Sequence, residues 1–197
     1  MTFIAGFYSF SIELNNADRD AFEKFRLKLP RHELESPLHF YARLIAYLHS
    51  YTAELSFAPE SSDPKLPTMW RRDAIGNILC WIQVGSPEKR KLELSLKQHP
   101  QAEHRVYFFV PDDIARFCHH LRGSKTNWIQ DIQFYAIDPA LLEELQTHES
   151  SSSEWSVSCI DDRIYLTVNG YALESSIAPV DIWDEFQESL RAEGDTP

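Results

Sequence analysis

Residues 67–91, PTMWRRDAIGNILCWIQVGSPEKRK, constrain the fold more than any other stretch of this chain. Met69 and Trp70 form one short apolar run and residues 78–84 (ILCWIQV) a second, with the turn formers Asp73, Gly76 and Asn77 between them. The second run is apolar at almost every position, the pattern of a strand covered on both faces rather than wet on one. Gln83 is its one strongly polar member. After Gly85, the residues Ser86, Pro87 and Glu88 read as a helix start, with serine as cap, proline at the first helical position and an acid in the first turn. The segment predicts strand, tight turn, strand and helix, with a polar side chain near a strand end beside a helix start.

The flanking sequence extends this into an α/β chain. Tyr8, Phe10, Ile12 and Leu14 alternate with Ser9, Ser11 and Glu13, which predicts a half-buried strand. A turn over 15–20 follows, and Phe25, Leu27 and Leu29 alternate with Lys24, Arg26 and Lys28 as the second strand of a hairpin, although 21–28 is helical on propensity alone. From Glu35 the period changes to 3.6: Leu38, Tyr41, Leu44, Ile45 and Leu48 share one face through about Tyr51, and Ser36 with Pro37 marks the start. A short apolar piece at 55–58 precedes PESSDPKLP, a polar loop with three prolines. Beyond the central segment come a helix at 87–98, a strand at 105–110, a helix at 112–122, a strand at 131–137 and a helix at 139–147 ending in a serine-rich linker. Strands follow at 155–160 and 164–168 around the turn 161–163, then at 171–175 after Asn169 and Gly170, a strong hairpin-turn pair. Ile182, Trp183, Phe186 and Leu190 at helical spacing predict a short final helix.

With 197 residues the expectation is one domain with a sizeable core. The start lacks a basic region and no apolar run reaches the roughly 20 residues of a membrane helix, so a soluble cytoplasmic protein with no membrane partner is expected. Cys80, Cys118 and Cys159 lie far apart inside apolar patterns, which suits buried reduced thiols rather than zinc ligands or disulfides. The net charge of −11 argues against a protein that coats nucleic acid through overall charge. That charge is uneven: residues 65–97 hold seven basic residues against three acids, and from Asp138 onward fourteen acids face only Arg163 and Arg191. The basic window reads either as a solvated helix surface or as a face for a phosphate backbone.

Several residues recur in an order that spans nearly the whole chain. They are the opening FYSFSIEL, Asp18 and Arg19 with Phe22, Arg31 and His32 followed by Glu35, then Arg43, Leu44 and Ala46, and later Trp70, Gly76, Trp81, Ile82, Gly85, Pro87 and Arg90. As an ordered set they resemble the YaeQ family of small bacterial proteins, whose fold is similar to that of the restriction-endonuclease-like nucleases. The resemblance implies a mixed sheet flanked by helices, an αβββαβ core over 35–148, and an additional antiparallel sheet built from strands of 1–34 and 154–197, all within one domain spanning 1–197. Between Glu35 and Val110 the order helix, strand, strand, strand, helix, strand read from the residues agrees.

Nucleases of that fold hold magnesium on carboxylates to polarise a phosphodiester and activate water. By resemblance the three carboxylate positions fall on Glu35, on Thr68 after Pro67, and on Gln83, with Gly85 where the catalytic lysine would be. Family members commonly carry an acid where Thr68 stands, an aspartate where Leu79 stands and a glutamate where Gln83 stands. Only Glu35 is kept, and a hard dication needs anionic oxygen to offset its dehydration. Asp73 is a substitute acid, though a turn residue is the plainer reading. Lys89, Arg90 and Lys91 are cations that could have migrated to the following helix, and His32 could line the same cleft; surface charge and a hydrogen-bonded structural histidine are the plainer readings. For Glu35 the plainer reading is a helix-initiation acid. Trp70 and Trp81 read as core rather than as base-stacking platforms. His119 and His120 are adjacent on a helix and diverge. The sequence leads to a nuclease-like domain with a degenerate metal site, no expected cofactor and no expected enzymatic activity, which binds nucleic acid or a protein partner. The alternative is a Mg- or Mn-dependent phosphodiesterase using Glu35, Gln83 and Asp73, and a third reading has the acidic C-terminal third meeting a basic partner.

Overall fold

The opening alternation becomes a long hairpin, β1 (Ile4–Asn16) and β2 (Ala21–His32), joined by a single 3-10 turn whose exit residue Asp20 takes a left-handed φ of 51°. The computed structural model describes residues 4–59, 66–123 and 126–194; the expected loop PESSDPKLP and the cation Lys65 fall mostly or wholly outside them. Among the described residues are ten strands and five α-helices, a mixed α/β chain. They fall into two compact units, Met1–Leu55 with Ile137–Ala178 and Ser56–Ala136 with Pro179–Pro197, so the first unit takes up the first helix as well as the terminal strands. No described helix is long and apolar enough to cross a membrane.

In the first unit, α1 (Pro37–His49) starts where the sequence says, with Ser36 Oγ accepting from His39 N and Pro37 at the first position. It packs against α4 (Pro139–Thr147), whose cap Asp138 accepts from Ala140 N. The sheet runs β2-β1-β8-β9-β10, with β8 (Ser152–Ile160), β9 (Arg163–Val168) and β10 (Tyr171–Val180). Asn169 and Gly170 close the β9–β10 hairpin with φ of 49° and 90°, the two left-handed residues that such a turn demands. The expected additional antiparallel sheet is not what these strands form: they belong to a ten-stranded mixed sheet, in which β1 pairs parallel with β8, from Ser9↔Ser152 to Asn16↔Cys159. Alternating burial is the same for either direction, so the periodicity could not show this. Phe10, Ile12 and Leu14 bury with Phe40, Leu44, Trp155 and Leu166, and the rings of Phe10 and Trp155 meet edge-on at 5.5 Å. Asn16, fully buried, donates to Leu48 O and His49 O and so ties the end of β1 to the end of α1.

The second unit holds β3 (Ser56–Phe57), β4 (Met69–Arg72), β5 (Ile78–Val84), β6 (Glu103–Phe108) and β7 (Ile132–Ile137), ordered β3-β4-β5-β6-β7, with β5, β6 and β7 parallel. Helices α2 (Lys89–Gln98) and α3 (Asp113–Leu121) connect the parallel strands, and α3 packs on α5 (Ile182–Gly194). Trp81, Leu92, Val106, Phe108, Phe117 and Phe134 make the core beneath them. Cys80, Cys118 and Cys159 are buried and form no disulfide with one another, and burial pushes the thiols of Cys118 and Cys159 up to about 11 and about 12. One expected start shifts: α2 begins at Lys89 rather than Pro87, because buried Pro87 is followed by Glu88 in extended geometry (ψ 134°), and no side chain caps the helix.

Candidate functional site

The expected site residues divide between the two units: Glu35 and His32 lie in the first, and Thr68, Asp73, Gln83, Lys89, Arg90 and Lys91 in the second. Glu35 is not on the helix. It sits in the turn before Ser36, because Ser36 is the cap and Pro37 the first helical residue. Its carboxylate faces along α1, where His39 and Arg43 follow at intervals of four and eight residues and therefore share a stripe. Arg43 Nε donates to Oε1 at 2.7 Å and Nη2 to Oε2 at 2.7 Å, a two-pronged grip, while His39 Nδ1 lies 2.6 Å from Oε1. The backbone N–H of His32 completes the set at 3.4 Å from Oε2. Burial works against the charge on Glu35, but the His39 contact and the Arg43 guanidinium outweigh it and hold the carboxyl below its ordinary value.

Beside this lies a second polar group that the sequence reading passed over. Tyr8 OH and Arg31 Nη1 both donate to Glu149, and Arg31 Nε donates to Glu35 O. These contacts join the hairpin, the turn before α1 and the segment after α4. Desolvation pushes the Tyr41 hydroxyl well above its ordinary value, with Glu149 adding to the effect. The signal for Arg43 and His39 was in the sequence as the spacing from Glu35. For Glu149, more than a hundred residues away from Tyr8 and Arg31, there was none.

In the second unit the strand pair positions Thr68 against Gln83. Thr68 N donates to Ile82 O at 2.9 Å, and Thr68 Oγ1 accepts from Val84 N at 3.0 Å. Gln83 Nε2 donates to Val84 O at 2.9 Å, which leaves Oε1 to accept from Lys91 Nζ at 2.7 Å. Of the three candidate cations on α2, Lys91 is thus the one that reaches Gln83; Lys89 pairs with Glu93 at 3.7 Å, and Arg90 is exposed. Asp73 is spent on its own turn: its carboxylate accepts from Ile75 N, Asn77 N and Asn77 Nδ2, and the Asn77 side chain first among these holds its pKa down. Trp70 and Trp81 are core residues at 6% and 1% exposure, with the Arg72 guanidinium 3.5 Å above the Trp70 ring.

The donor set does not fit a magnesium ion. Both oxygens of Glu35 are neutralised by donors, and the Thr68–Gln83 corner offers neutral oxygens with an ammonium already on one of them. Among the described residues no three His, Cys, Asp or Glu side chains gather as a metal-holding group.

The family model "YaeQ protein" matches residues 1–177. This chain belongs to the YaeQ family. Curated YaeQ relatives, each bearing the name "Uncharacterized protein YaeQ", include one from Salmonella typhi, 25% identical over 130 residues that cover 66% of this chain and 65% of that protein. Another, from Escherichia coli K12, is 24% identical over 156 residues, 77% of this chain and 80% of that one. The crystal structure of the YaeQ protein from Pseudomonas syringae is similar with a TM-score of 0.75 at 21% identity, covering 89% of this chain and 96% of that one. For the YaeQ protein from Xanthomonas axonopodis pv. citri the TM-score is 0.77 at 17% identity, covering 89% and 97%. At these identities the YaeQ structures speak to fold alone.

Proposed function

We propose that this YaeQ-family protein has a restriction-endonuclease-like architecture, acts as one domain, and binds a nucleic-acid backbone without cutting it, its metal site having lost the acids that cutting needs. The observation that carries this reading is the Gln83–Lys91 hydrogen bond. Where a nuclease of that architecture would place an acid for its metal, a neutral amide presents a cation. A phosphate is attracted to such a corner and a divalent ion is repelled. No metal or other cofactor is part of this reading. The competing phosphodiesterase, built on Glu35, Gln83 and Asp73, would require Asp73 to give up its turn and Glu35 its guanidinium.

The test pairs a cleavage assay with a binding assay, using plasmid and 30-base-pair duplex DNA and the matching RNA, with 10 mM Mg or Mn. Expected are no cleavage above a protein-free control and a salt-sensitive duplex affinity that falls severalfold in Lys91→Ala and Arg90→Ala. Cleavage that disappears in Glu35→Gln overturns the proposal in favour of the metal enzyme. A folded protein that binds none of these nucleic acids overturns it in favour of a protein partner.

A further inference from the structure

The sheet of the first unit has one face that none of the described residues of that unit covers. Along β1 the residues Phe7, Ser9, Ser11, Glu13 and Asn15 are exposed while Phe10, Ile12 and Leu14 are buried, and β8 repeats the pattern with Ser152, Glu154 and Ser156 outside. On the edge strand β2 the register places Phe22, Lys24, Arg26 and Lys28 on this same face, opposite Asn15, Glu13, Ser11 and Ser9. Three cations therefore stand at alternate residues, about 7 Å apart along the strand. That interval is close to the separation of neighbouring phosphates on an extended single strand. Exposed aromatics flank the row: Phe22 at 62% exposure on one side and Phe7 at 50% on the other, with Lys28 Nζ 4.5 Å from the Phe7 ring centre. Beside the row the twisted sheet forms an open depression of about 600 Å³, lined by Ser11, Lys24, Arg26, Ser156, Thr167 and Asn169, with Glu13 and Glu154 at the same place.

We propose that this face binds single-stranded nucleic acid, the β2 cations tracking the backbone and Phe22 and Phe7 stacking on unpaired bases. The combination of a cation row with aromatic faces and small hydroxyl-bearing neighbours is what sequence-tolerant single-strand recognition uses. A duplex hides the base faces that the two phenylalanines would contact. An acidic polypeptide would answer the cations but leaves the aromatics unused. The pair Lys24–Glu13 at 2.9 Å is exposed, so it costs little to exchange for a phosphate. This surface lies in the other unit from the Gln83–Lys91 corner and does not depend on it.

Fluorescence anisotropy with a labelled 20-nucleotide oligo-dT, oligo-U, a 20-base-pair duplex and polyglutamate at 50–200 mM salt tests the proposal. The triple variant Lys24→Gln, Arg26→Gln, Lys28→Gln keeps a polar edge strand, and its fold is checked by thermal unfolding. Expected are at least a tenfold loss of oligonucleotide affinity and a log–log salt slope shallower by about 2, from about 0.7 per phosphate contact released. Phe22→Ala loses about tenfold with its slope unchanged, since stacking is not ionic. The same titrations on Lys91→Ala tell binding at the other corner apart from binding on this face. Absent oligonucleotide binding, a preference for duplex, or an unaltered affinity in the folded triple variant overturns the assignment. Polyglutamate that binds as well as oligo-dT, with Phe22→Ala without effect, overturns it in favour of acidic polypeptides.

Discussion

Glu35, expected from the resemblance to be a catalytic acid, spends its carboxylate on contacts that serve the fold. Its side chain is 6% exposed and that of Arg43 10%, so the pair is held out of water with its hydrogen bonds matched. Removing one partner strands the other charge, and Glu35→Ala is expected to cost about 3–5 kcal/mol of stability, read as a lower urea midpoint. Replacing both Glu35 and Arg43 by apolar residues of similar volume is expected to cost much less than the sum of the two single changes. Additive costs in that double-mutant cycle would show that the pair is not the unit proposed here. Part of this was legible: Glu35, His39 and Arg43 lie four residues apart on a helical pattern. The wider network was not, since Tyr8, Arg31 and Glu149 meet only because β1, β2 and the end of α4 converge.

At the scale of elements, the strand–turn–strand–helix segment carried most of its own instructions. Asp73, Gly76 and Asn77 close the turn as their side chains dictate, with Asp73 N donating to Asn77 O at 2.9 Å and Gly76 at a φ of 93°. The start of α2 did not follow its local signal: it begins at Lys89, two residues after Pro87. Because Thr68 and Gln83 sit side by side across the β4–β5 ladder, acids placed there would stand together. Thr68→Asp with Gln83→Glu is expected to bind Mn with a heat signal by titration calorimetry that the parent chain lacks. A double variant that folds and still takes up no manganese would show that more than side-chain charge is missing from this corner.

For the molecule as a whole, stability against pH joins two buried groups. His104 is 1% exposed, with Nδ1 2.9 Å from Ala102 O; burial lowers its pKa from an ordinary 6.5, so the fold prefers it neutral. The unfolded chain then binds the extra proton first, and the stability tied to neutral His104 is present above about pH 6.5 and is lost as pH falls through its lower folded value. The depressed carboxyl of Glu35 acts in the same direction further down, beginning below about pH 4.5. Urea midpoints are expected to fall between pH 8 and pH 5 and again toward pH 3; burial lowers the pKa of His99 as well, so His104→Phe is expected to shrink the first step without touching the second. A midpoint that rises steadily toward the sequence pI of about 5.1 would mean that relief of the net charge of −11 dominates instead. The sequence by itself determined the elements, their turns and the lack of acids at Thr68 and Gln83, because side-chain period, backbone preference and charge are local properties. Only the tertiary structure decided that β1 runs parallel to β8, that Glu35 is held by Arg43, and that Lys24, Arg26 and Lys28 line an uncovered sheet face. Those depend on which strand lies next to which, and no periodicity records a neighbour.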